Sequence, residues 1–143
     1  MALALKKELD RLYRELITSE NIINPPRILI GNQNENPVFL NRNDADGDRG
    51  IWAQEEIYGK WLIHVAEGQY NVRFRFIQPV KTGGQMVLET GAIINQMKNN
   101  SAETEIIEMK NISLPEMDCE LIPFYAMEGK NIFPFWVEIE RIF

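Results

Sequence analysis

From Arg27 to the end of the chain, apolar residues come in short runs that alternate with polar ones. The sharpest run is Gln69 to Gln78, QYNVRFRFIQ, with Tyr70, Val72, Phe74 and Phe76 on one face and Asn71, Arg73 and Arg75 on the other. A period of two marks a half-buried strand, whereas a helix repeats its apolar positions every three or four residues. RILI, PVFL, KWLIHVA, QMVLE, TEIIEMKNI, CELIPFYAM and FPFWVEIERI read the same way. Turn-formers cut them apart at Glu67-Gly68, Lys81-Thr82-Gly83-Gly84, Asn99-Asn100-Ser101 and Glu128-Gly129-Lys130-Asn131. Eight short strands and no strand-helix-strand unit predict a mainly β fold over 27–143, an antiparallel β-sandwich of jelly-roll or immunoglobulin-like type. Trp61, Ile63 and Val65 should face the same core, with Glu67-Gly68 closing a hairpin onto the next strand. Near the end, Phe133, Phe135, Val137 and Ile139 read as inward and Trp136, Glu138 and Glu140 as outward.

Only the beginning of the chain has the other period. Leu5, Leu9, Leu12, Tyr13, Leu16 and Ile17 form the apolar stripe of one amphipathic helix over about residues 2–18. Asn24-Pro25-Pro26 forbids its continuation, because the residue before a proline is pushed to extended geometry. Residues 1–26 thus read as a helix with its linker. Such a helix is marginal alone and draws its stability from packing its stripe, so the stripe is expected to cover something.

Composition narrows the chemistry. The chain has 143 residues, 45% hydrophobic and 25% charged, in the ordinary range for one globular domain. No run approaches the ~18 apolar residues of a membrane span, and the charged N-terminus does not read as a signal peptide. A net charge of −6 disfavours nucleic acid or an anionic membrane as partner, since such binding needs clustered cations. The single cysteine, Cys119, and single histidine, His64, exclude an intrachain disulfide and leave little for metal or nucleophilic chemistry. No catalytic residue and no cofactor are expected.

Asp44, Asp46, Asp48 and Glu55 stand at positions 1, 3, 5 and 12 of a calcium-loop pattern. Arg49 occupies the place of the turn glycine, however, and Pro37-Val38-Phe39-Leu40 before the acids reads as strand where an EF-hand has a helix. The expected reading is a solvated connection. Arg73 and Arg75 project from one strand face about 6.5–7 Å apart, a span that suits a sulfate or a sugar carboxylate. Neighbouring carboxylates compete for them. Trp136 is the outward aromatic best suited to stack on a pyranose, and its competing reading is burial under the helix or against another domain. His64 is expected to be a packed or surface residue.

PPRILIGNQNENPVFLNRND, then GIW, then KWLIHVAEGQYNVRFRF and the closing FWVEIER resemble the C-terminal β-sandwich region of arylsulfatase-type sulfatases. KKELDRLYREL is similar to the helical segment leading out of their catalytic domain. The formylglycine motif of those enzymes, C/S-x-P/A-x-R, is not matched around Cys119, which lies in MDCEL. The resemblance therefore implies a non-catalytic accessory domain whose partner is the catalytic domain of the same polypeptide, in a parent that is periplasmic or secreted. The alternative is a carbohydrate-binding module for a sulfated or acidic glycan.

Overall fold

A computed structural model describes residues 2–47 and 59–143. Two helices, α1 (Ala2–Ile17) and α2 (Glu20–Ile23), precede eleven strands. These are β1 (Ile28–Ile30), β2 (Val38–Asn41), β3 (Asp46–Gly47), β4 (Gly59–Val65), β5 (Gly68–Val80), β6 (Gln85–Thr90), β7 (Ile93–Lys98), β8 (Thr104–Leu114), β9 (Met117–Met127), β10 (Lys130–Ile132) and β11 (Trp136–Ile142). One sheet runs β1-β4-β9-β6-β7, with β3 on β4 and β10 on β9; the other runs β2-β11-β5-β8. The protein is a β-sandwich with an N-terminal helix, and the eight strands expected from alternation are all present.

Alternation builds the core as the sequence implies. Trp61, Ile63 and Val65 of β4 and Tyr70, Val72 and Phe74 of β5 are at most 1% exposed, and they meet from opposite sheets. Phe133 stacks on Trp61 at 5.2 Å. Pro123 lies within central strand β9, where a proline has no N–H for the ladder. It is registered opposite Leu88 of β6, and among the described residues no residue of β4 or β10 is registered opposite it on the other flank.

Three expectations are corrected. The connection at Glu67-Gly68 closes no hairpin, since β4 and β5 lie in different sheets; alternation shows that both strands face one core but not from which side. The sandwich is not wholly antiparallel, because β1 runs parallel to β4. Phe135 is 39% exposed, as it lies before β11 begins and outside that strand's alternation. The sequence reading also missed β7, whose inward side holds Asn95 between Ile93 and Met97 and so blurs the apolar period.

Helix α1 forms over its expected range but buries nothing. Leu5, Leu9, Leu12 and Leu16 are 66%, 59%, 41% and 60% exposed. Arg11 bridges Glu8 and Glu15 along the polar side, and the neighbouring Glu8 carboxylate raises its pKa. Such exposed pairs are screened by solvent and add little to stability. The stripe is covered neither by the sandwich nor by α2, and Trp136 is not beneath it: its ring partner is Phe39 of β2.

Candidate functional site

The outward face of the four-stranded sheet holds the three residues singled out as ligand candidates. Register aligns Asn41, Trp136, Arg75 and Ile106 in one row across β2, β11, β5 and β8. The next row is Phe39, Glu138, Arg73 and Glu108. Two-residue alternation on four adjacent strands thus gathers Trp136 and both arginines, with Phe39 meeting Trp136 edge-on at 6.0 Å and 69°. Phe39 is 61% exposed.

The two arginines are not equivalent. Arg73 Nη1 donates to both carboxylate oxygens of Glu138 at 3.3 and 3.2 Å, and its Nη2 lies 3.6 Å from Glu108. It is pinned from both neighbouring strands. Among the described residues Arg75 reaches only Glu105, at 3.9 Å, where no hydrogen bond is made. Its row neighbours Trp136 and Ile106 are not acids. Sequence reasoning treated the arginines alike because it had no register to show which strands' acids face which row.

A second cluster gathers residues from the fragments around Gly31, Gly68 and Arg141. Arg141 of β11 donates through Nη1 to Gly31 O at 3.1 Å and through Nη2 to Glu67 O. Asn36 spans to Arg141 twice: its Nδ2 donates to Arg141 O at 2.9 Å and its Oδ1 accepts from Arg141 N–H at 2.8 Å. The Tyr70 hydroxyl donates to Ala66 O at 2.5 Å, clamping the corner between the sheets as a tyrosine corner does. Burial pushes the Tyr70 phenol pKa up and the Arg141 guanidinium partly opposes this. A Cβ on Gly31 would stand 2.2 Å from the Tyr70 hydroxyl, and one on Gly68 would stand 2.6 Å from Arg141 Nε. Gly31, Asn36, Gly68, Tyr70 and Arg141, drawn from three separate fragments of the chain, therefore form one structural knot.

The remaining candidates are dispersed. His64 Nδ1 pairs with Asp118 at 2.7 Å on the outer face of the larger sheet, and Arg27 Nε lies 3.5 Å from the same carboxylate. Cys119 is buried on β9 opposite Ile63. Burial raises its thiol pKa, against Arg27, so it is a poor nucleophile at neutral pH. Asp44 closes a 3-10 turn and Asp46 is in β3, while Asp48, Arg49 and Glu55 lie outside the described residues. Strand β2 enters this acidic stretch, as the sequence implies. Among the described residues no group of three or more His, Cys, Asp or Glu is placed to hold a metal ion. Sequence reasoning also missed Arg42, 1% exposed at the rim of the core, where its N–H donates to Phe135 O at 3.0 Å. A charged residue after PVFLN carries no local signal of burial.

No family model matches the chain, and no curated protein matches it. Among solved structures it is similar to a ruminal GH26 endo-β-1,4-mannanase, at 12% identity and a TM-score of 0.48 over 75% of this chain. The chain spans 26% of that enzyme's length, and a likeness at this level assigns it no function.

Proposed function

We propose that this chain is a non-catalytic accessory domain of an arylsulfatase-type sulfatase, seated on the catalytic domain of the same polypeptide through α1. The observation that carries the reading is the stripe of Leu5, Leu9, Leu12 and Leu16, patterned for burial yet 41–66% exposed. A 16-residue helix in water is near the length at which isolated helices are marginal, and its stability comes from packing an apolar face. The sulfatase-like motifs supply the identity of the body that packs there. Buried Cys119, outside any formylglycine sequence, supports an accessory role in place of chemistry.

The test is to read the coding sequence upstream of Met1 and assay the purified chain. A long α/β domain carrying C/S-x-P/A-x-R and preceded by an export signal is expected upstream, with no hydrolysis of an aryl sulfate by the chain alone. An unrelated upstream domain, or turnover abolished by Cys119→Ser, would overturn the proposal.

A further inference from the structure

We infer that the outward face of the four-stranded sheet binds an acidic polysaccharide, with Trp136 as the stacking platform for a pyranose and Arg75 as the donor to its anionic substituent. This site is distinct from the α1 stripe, so the two readings stand or fall separately. Two observations meet there. Trp136 and Arg75 are opposite one another in the register of β11 and β5, which puts both residues on one face in neighbouring strands. Phe39, in the next row, meets Trp136 edge-on and is itself 61% exposed, extending the aromatic surface across to that row. A pyranose offers an apolar C–H face to an aromatic ring and polar groups at its edge, so such a surface beside a donor meets both requirements.

The choice of an acidic ligand comes from the contrast between the arginines. Arg73 already satisfies two carboxylates, so it has little to offer an incoming anion. Among the described residues Arg75 is held only at 3.9 Å by Glu105, at a side-chain exposure of 48% for each partner. An exposed pair at that separation is weak, and a carboxylate or sulfate able to dock on both guanidinium N–H groups replaces it with shorter, charge-assisted bonds. Glu138 and Glu108 stay engaged by Arg73, which limits their repulsion of the ligand. Uronate and sulfate share this chemistry.

The test is affinity electrophoresis of the full chain in gels containing polygalacturonate, dextran sulfate or uncharged dextran. Retardation by at least one anionic polymer and none by dextran is expected. Arg75→Gln should weaken it about tenfold to hundredfold, as for losing a charge-assisted hydrogen bond. Trp136→Ala should do likewise, and Trp136→Phe, which keeps a ring and spares the fold, should retain part of the affinity. The stronger of the two anionic polymers identifies carboxylate or sulfate. Absence of retardation by both anions, retardation that survives Arg75→Gln, or equal retardation by dextran would each overturn the inference. If the same face instead docks on the catalytic domain, the chain will bind neither anion, and the inference fails.

Discussion

Two regions of this molecule carry strong apolar patterns, and only one of them is obeyed. In β5 the period-two face of Tyr70, Val72 and Phe74 is fully buried. In α1 the stripe at spacings of three and four is as regular, yet its leucines stay 41–66% exposed. The hydrophobic contribution is about 25 cal/mol per Å² of apolar surface removed from water, so the strand's pattern is spent within the chain and the helix's is not. What differs is the number of partners. A strand in a sandwich finds the opposite sheet in its own sequence, whereas α1 is followed by a linker and then by a body whose inward faces already cover one another. The unmet pattern is the observation on which the proposed partner rests.

The largest way to break this contrast is to empty the obeyed pattern. Phe74→Ala should destabilise the sandwich by about 3–5 kcal/mol in urea unfolding, the range for deleting a buried aromatic ring. A loss below about 1 kcal/mol would mean that β5 faces the other way. The knot at the sandwich end comes next. Gly31→Ala should cost about 1–3 kcal/mol, because Gly31 has φ +86° and its Cβ would meet the Tyr70 hydroxyl.

How much of this was legible in the sequence follows from which forces are local. Alternation is local, so the eight main strands and their inward faces could be read, including the outward setting of Arg73, Arg75 and Trp136. Sheet membership is not local: Glu67-Gly68 looks like a hairpin turn, and the bonds that tie Ala66 and Glu67 to Ile30, Tyr70 and Arg141 hold it as a corner. The motif residues Gly31, Asn36 and Arg141 were visible as a resemblance but not as a knot, since up to 110 residues separate the partners. Arg75 and Arg73 became distinguishable once register gave Arg73 its two acids.

Cys119 tests the core by pH. Its thiol pKa is raised by burial, so the native state keeps the proton to higher pH than the unfolded chain does. The stability this represents is present below the ordinary thiol pKa and is lost as pH climbs from there through the raised native value. Unfolding titrations should therefore show stability falling over that alkaline window, with a smaller fall in Cys119→Ala. Ellman's reagent at pH 8 should react with Cys119 only as fast as the chain opens; immediate reaction would place the thiol at the surface.

The smallest effects belong to the unmet pattern. Leu9→Ser and Leu12→Ser should each change the unfolding free energy of the sandwich by no more than about 0.5 kcal/mol, the usual range for exposed positions away from the core. A loss of 2 kcal/mol or more, the ~2–5 kcal/mol range for a buried leucine, would show that the sandwich covers the stripe after all.

Amide hydrogen exchange on the purified chain at low concentration probes the difference between the two regions most directly, because it reads the opening of each element separately. Exchange is expected to be fast throughout α1, as for a marginal helix, while β5 exchanges only with global unfolding. Joined to the catalytic domain proposed as its partner, α1 should become protected to the level of β5. Protection of α1 equal to that of β5 in the isolated chain would contradict the account, because the stripe would then already have its cover.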